Sequence, residues 1–527
     1  MSLEIAVVRG AVLRGLVLSV LAAAPLVARA EDETVRTTAE MSARVDELIE
    51  SRLRQAGVSP AAMADDAQFM RRVALDLNGV IPAGSEVSAF LKDAASDKRA
   101  KLIDRLLANP RYATHLAQVW SKMLLPAAAQ NERAAEVAGF TAWLRRRFAE
   151  NIRYDIVVAD LLTTTGSSNR GGAALFYTAS GVKPEELAAS TSRIFLGVQI
   201  HCAQCHNHPF DHWRQEDFWS YAAFFARVQQ APGMQPPDVE LVDATAGEVM
   251  LPETDQVIAP KYLGAEPPSE DADVNRRRQL AIWLVSRDNP YFARVAVNRV
   301  WALLFGHGLV HPVDEFGPQN PPSHPQLLDE LAAYFIDCGY DLKELFRVLT
   351  NTAAYQRASE SLSEGEPPPP ELFARMLVKT LTPEQLYDSL LRAARREETA
   401  PATNVPGQPP MGDRQQFLAR FNMATHDATD FSAGIPQVLA LMNGALTDEA
   451  TDPLRSGILL AIDAPFFTDA ERVEALFLAV MSRPPSDAER EQFMRYVQDK
   501  ADADERRKAL GDILWAMLNS PEFILNH

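Results

Sequence analysis

Apolar residues recur every three or four positions along most of this chain, the period of helices with one buried face. Val45, Leu48, Ile49, Leu53 and Ala56 fall on one side of such a helix, and Gly57 follows as a C-terminal stop. From Asp341 the period returns: Leu342, Leu345, Phe346 and Leu349 form the stripe, and Asp341 with Glu344 has the spacing of a capping box. The stretch 239–262 breaks the period, because short β-prone pieces at 239–242 and 248–251 flank Ala246-Gly247 and predict a small hairpin across that turn. The expected fold class is mainly α, with two helical domains joined by a linker that carries a small β-hairpin.

Proline clusters punctuate the pattern at 232–237, 267–268, 367–370 and 401–410. The first two bracket a boundary, which divides the chain into a helical domain over 31–230, a linker over 231–270 and a second helical domain over 271–527. The later two read as surface loops of the second domain. Residues 1–30 stand apart as a secretory signal: Arg9 and Arg14 precede an apolar run at 15–27, and Ala28-Arg29-Ala30 offers a small-x-small cleavage site. That run is shorter than the roughly 18 to 20 residues a spanning helix needs. The expectation is an exported, periplasmic or otherwise extracytoplasmic protein with no transmembrane segment after cleavage.

Composition narrows the function. With 527 residues, 47% hydrophobic, the chain can bury a large core. Its net charge of −18 repels phosphate backbones, so nucleic acid is not an expected partner. Three cysteines cannot staple so long a chain. Two of them lie in His201-Cys202-Ala203-Gln204-Cys205-His206-Asn207-His208-Pro209-Phe210-Asp211-His212-Trp213. Thiols at i and i+3 share one side of a helical turn, which suits two thioether bonds to one haem, with His206 as the proximal ligand. The same atoms suit a zinc or iron site built from Cys202, Cys205 and two of His201, His206, His208 and His212, or a plain local disulfide. Helical surroundings argue against a thioredoxin-like role, which wants a βαβ setting. Phe218, Tyr221, Ala222 and Phe225 follow at helix-face spacing and are expected as a core stripe.

These residues carry a resemblance. The run 195–200, Phe-Leu-Gly-Val-Gln-Ile, leading into Cys202, Cys205 and His206, then His208-Pro209-Phe210 and Trp213, resembles the cytochrome-like domain of large exported planctomycete proteins. Arg71-Arg72, Asp76-Leu77-Asn78-Gly79 and Leu106-Leu107-Ala108-Asn109-Pro110 resemble its earlier helices. The second domain resembles the planctomycete-specific domain paired with it, through Asn298-Arg299-Val300-Trp301, the run 305–310, Asp314-Glu315-Phe316-Gly317, Ser323-His324-Pro325 and Tyr355-Gln356. The resemblance covers nearly all of the chain after residue 30, and the cytochrome-like name of that family rests on the Cys-x-x-Cys-His signature. The chain departs from the pattern in having no second Cys-x-x-Cys-His and in carrying Asn207 where relatives often place an acidic residue.

Asn298, Arg299, His307, Asp314, His324 and Arg357 form another candidate constellation, for a cation or acid–base chemistry if the fold gathers them. Gly and Pro around His307 and His324 favour a loop-stabilising role instead. Cys338 has the spacing of a buried core thiol. A sixth iron ligand from Met423, Met442, His307 or His426 would favour electron transfer, and an open position small-molecule redox chemistry. The function expected is an exported protein with a redox-active centre, most readily haem c, that serves electron transfer or oxidative chemistry with a redox partner protein. The alternatives are a zinc or iron enzyme or metal-stabilised module acting on extracellular polymers, and a non-catalytic scaffold.

Overall fold

Helix α1 (Thr38–Ala56) begins at Thr37, whose hydroxyl accepts from Glu40 N at 3.3 Å while the Glu40 carboxylate accepts from Thr37 N at 2.7 Å. Both halves of a capping box are thus in place. The helix ends at Gly57, which takes the left-handed backbone (φ 67°) that closes a helix without steric cost. Val45, Ile49 and Leu53 are buried, Leu48 is half-buried and Ala56 is exposed. Their face meets the helix Leu342–Thr350, whose Leu342, Leu345, Phe346 and Leu349 are all buried. Only one half of the capping box expected there forms. Asp341 accepts from Glu344 N at 3.1 Å, but the Glu344 carboxylate turns outward to accept from Tyr334 at 2.8 Å and to pair with Arg347.

A computed structural model describes residues 35–167, 172–232, 239–268, 275–360, 367–398, 412–421, 441–442 and 444–527. The signal expected at 1–30, the proline clusters at 233–237 and 401–410, and Met423 and His426 lie outside the described residues. The fold is mainly α, with only small antiparallel sheets. Strands β1 (Gly166–Ser167), β2 (Val228–Gln230) and β3 (Glu240–Asp243) form one sheet in the order β1-β3-β2. Strands β4 (Val249–Met250) and β5 (Val257–Ile258) pair together, as do β6 (Lys379–Thr380) and β7 (Leu525–Asn526).

The hairpin expected across Ala246-Gly247 is therefore corrected. Both β-prone pieces are strands, but β3 pairs with β1 and β2 while β4 pairs with β5. Gly247 sits against the chain at 226–227, where a Cβ would come 2.4 Å from Ala226 O. The Arg277 guanidinium meanwhile holds Asp243 at 2.9 and 2.7 Å. The turn is thus spent on docking rather than on joining β3 to β4.

One hydrophobic cluster runs from Met41 to Met376 and takes residues from both sides of 231–270; Tyr154, for example, stacks on Phe292 with ring centroids 5.5 Å apart. A second gathers Leu381 to Phe523 with Leu75 and Ile81. Apolar contact thus crosses the 231–270 stretch, and Arg36–His527 is one compact unit. Among the described residues no helix is long and apolar enough to cross a membrane.

Helix α2 (Asp66–Asn78) joins the two clusters: Phe69, Met70, Val73, Ala74 and Leu77 face the first, and Leu75 the second. Its Arg71, Arg72 and Asp76 are buried as well, and each is held by several partners. Arg71 donates to the carbonyls of Val480, Glu522 and Phe523, and Arg72 to those of Tyr355 and Arg357. Asp76 accepts from Lys379 Nζ (2.7 Å), Tyr355 OH (2.8 Å) and Asn526 Nδ2 (2.7 Å). Buried charge is tolerable only with partners of this kind, so the arginine and aspartate motif of this helix ties the chain's C-terminal part to its N-terminal part.

Candidate functional site

The Cys–His loop is entered from a wide helical turn, Ser192–Leu196, that closes on Gly197 (φ 65°). Gly197 combines a left-handed backbone with close approach: a Cβ there would lie 2.5 Å from the Phe316 ring and 2.9 Å from Val295. Phe316 N donates to Gly197 O at 2.8 Å. Just before, Arg193 holds Asp314 Oδ2 at 2.7 Å, and Arg299 holds Asp314 Oδ1 while also donating to Ile194 O and Arg193 O. Just after, Gln199 donates to Glu315 at 3.3 Å.

Residues His201–Gln204 form a single tight turn with about three residues per turn, so side chains at i and i+3 eclipse. Its inward residue is Ala203, fully buried, whose N–H donates to Ile200 O at 2.8 Å. Cys202, Cys205 and His206 are exposed. The loop is tied to the helix Gln215–Ala222: Trp219 Nε1 donates to Gln204 O (3.0 Å), Gln215 Nε2 to Cys205 O (3.1 Å), and Gln215 N to Asn207 Oδ1 (3.0 Å). Phe218, Tyr221, Ala222 and Phe225 are buried beneath it, the expected core stripe.

Hydrogen bonds assign the imidazole tautomers. His206 Nδ1 lies 2.8 Å from Asn207 O, a carbonyl, so the ring donates there and its Nε2 keeps a lone pair. His212 Nδ1 donates to Asp211 Oδ1 at 2.6 Å and likewise presents Nε2. His208 is the opposite case, because its Nδ1 accepts from Phe210 N at 3.3 Å, which leaves the proton on Nε2. His201 is exposed. Among the described residues no three His, Cys, Asp or Glu side chains stand close enough together to hold a metal ion.

The structure gathers the second-domain constellation only in part: Arg299 pairs with Asp314, while His307, His324 and Arg357 meet around Phe373 instead. Asn298 is fully buried and staples the backbone, donating to Val310 O and accepting from Val310 N, both at 2.9 Å. Asp314 belongs to Arg193 and Arg299, at the foot of the Cys–His loop. His307 stacks on His311 with ring centroids 4.0 Å apart, and His324 lies beside Phe373 at 5.5 Å. Burial pushes His324 down to about 4 and favours its neutral form. Arg357, also buried, donates to Phe373 O at 2.8 Å. Asn298 and Arg357 are thus spent on backbone carbonyls and Asp314 on two guanidiniums, which keeps them from one shared site.

Cys338, expected as a buried core thiol, is half-buried against the first cluster; it donates to Phe335 O at 3.4 Å, and burial pushes its thiol up to about 11. Met442 sits by the second cluster, where its carbonyl accepts from Trp515 at 3.0 Å. Sequence reasoning passed over Arg193 and Lys379, although a lone cation inside an apolar run is a signal that a buried partner exists.

Residues 44–230 match the PSCyt2 family, described as a protein of unknown function (DUF1549), and residues 276–416 match the PSD1 family, described in the same words (DUF1553). No curated protein and no solved structure matches the chain.

Proposed function

We propose that this chain, which belongs to the planctomycete proteins pairing a PSCyt2 cytochrome-like domain with a PSD1 domain, carries a c-type haem on Cys202, Cys205 and His206 and acts in electron transfer or oxidative chemistry outside the cytoplasm. The observation that carries this reading is the hydrogen bond from His206 Nδ1 to Asn207 O, beside two exposed thiols one tight turn apart. A ligating imidazole needs its second nitrogen engaged, which fixes the tautomer and raises the basicity of the first. The backbone carbonyl of Asn207 performs that task.

When bound, a haem supplies one-electron chemistry at iron. The chain's own residues hold and aim it. Cys202 and Cys205 would supply the thioether sulfurs and His206 Nε2 a nitrogen ligand, while Trp219 and Gln215 keep the carbonyls of the turn satisfied so that the three groups stay on the solvent side. Export agrees with the residue pattern at 1–30, since thioether attachment of this kind follows secretion. The net charge of −18 favours a basic redox partner, with association weakened by salt.

One observation favours a second reading. Asp211 orients His212 as carboxylates orient metal-ligating imidazoles, which favours zinc or iron on Cys202, Cys205, His206 and His212, four side chains that a bound ion would have to draw together. Expression in cells competent for haem attachment, with haem staining of a denaturing gel and metal analysis, separates the two. Covalent haem supports the first, and stoichiometric zinc or iron without haem the second. A chain with neither refutes both and leaves a scaffold.

A further inference from the structure

The segment 314–317 touches the Cys–His loop on both flanks. Ahead of the loop, Asp314 is held between Arg193 and Arg299, Glu315 accepts from Gln199, and Phe316 donates to Gly197 O while its ring fills the space a Cβ of residue 197 would need. Behind it, Asp211, the carboxylate that orients His212, lies over Gly317, where a Cβ would come 3.5 Å from Asp211 Oδ2. The first flank belongs to the stretch matching PSCyt2 and the platform to the stretch matching PSD1.

We infer that Asp314–Gly317 is the platform that sets the orientation of the Cys–His loop, with Asp314 as its positioning residue, so that the two family stretches build one composite site and neither holds it alone. The loop's own fastenings run to the helix behind it and leave its entry segment, 197–200, to be fixed from the other side. A carboxylate between two guanidiniums suits that task. Arg299 is deeply buried, and burial pushes its ionisation down against the pull of Asp314, so the pair is held where a charge-assisted bond is strongest. The inference goes beyond the haem reading and stands whichever group the loop carries.

Hydrogen exchange followed by mass spectrometry on the full, unloaded chain tests it. In Asp314→Asn, peptides covering 195–213 are expected to exchange about tenfold faster or more, while peptides from helix α2 keep the parent's rate. Asp314→Glu, which restores the carboxylate, is expected to recover most of the protection. Should Asp314→Asn fail to fold, Arg193→Gln removes one arm at a side chain that is 42% exposed and is expected to give the same local loss. Exchange over 195–213 within about twofold of the parent in the folded variants overturns the inference, as does loosening spread equally over helix α2. Absence of covalent haem from the parent chain counts against the proposed function only and leaves this result unaffected.

Discussion

Lys379 Nζ lies 2.7 Å from Asp76 Oδ1 and joins positions 303 residues apart, each only 5% exposed. Tyr355, Asn526 and the carbonyls of Leu303 and Leu304 complete the shell around this pair. Removing one partner leaves the other charge buried without compensation, so Lys379→Met should destabilise the protein by about 3–5 kcal/mol. The urea midpoint measures this. A double variant, Lys379→Met with Asp76→Asn, should be less destabilised than the two single losses added together, because the orphaned charge is gone.

Stability should fall as pH drops from neutrality toward 4. Burial pushes His115 from its ordinary value near 6.5 down to about 4. The folded state therefore binds fewer protons than the unfolded state between those values. The stability this provides is complete above about 6.5 and is lost as pH falls through that window, roughly 3 kcal/mol for His115 alone. His324 and His527, also pushed down to about 4 by burial, steepen the same slope. His115→Leu should flatten it, and urea midpoints at pH 7 and pH 4.5 read the difference.

Gly197→Ala should cost at least about 2 kcal/mol, since the added methyl meets the Phe316 ring and the backbone there is left-handed. Limited proteolysis at Arg214, just behind the loop, should accelerate in the same variant. The same substitution at Gly57, where a Cβ meets nothing within 4 Å, carries only the backbone strain and should be milder.

The histidines should separate by tautomer. His206→Ala should keep covalent haem through Cys202 and Cys205 while losing the absorption spectrum of an axially ligated iron. His208→Ala should change neither, because its Nε2 carries the proton. Absorption spectra of the purified variants check both.

Helices were legible in the sequence wherever one apolar face did the folding. The stripes at Leu342–Thr350 and at Phe218, Tyr221, Ala222 and Phe225 are buried as their period implies, and Gly57 stops helix α1. Strand pairing was not legible. Strands of two to four residues carry too little pattern to choose a partner, and β3 finds β1 some seventy residues earlier. Long-range polar partners escaped for a related reason: half-exposed Arg193 with Asp314, and buried Lys379 with Asp76, are pairings that only the folded chain creates. The Cys–His cluster was plain from spacing alone, whereas the tautomers that distinguish His206 from His208 rest on backbone groups no spacing reveals.

The most direct test of the central claim is haem stoichiometry on a denaturing gel, for the parent chain and for the Cys202→Ala, Cys205→Ala variant, after expression with haem-attachment machinery. The account expects one haem per chain that migrates with the denatured parent polypeptide and is absent from the variant. A parent chain without covalent haem under those conditions, or a variant that keeps it, would contradict the account.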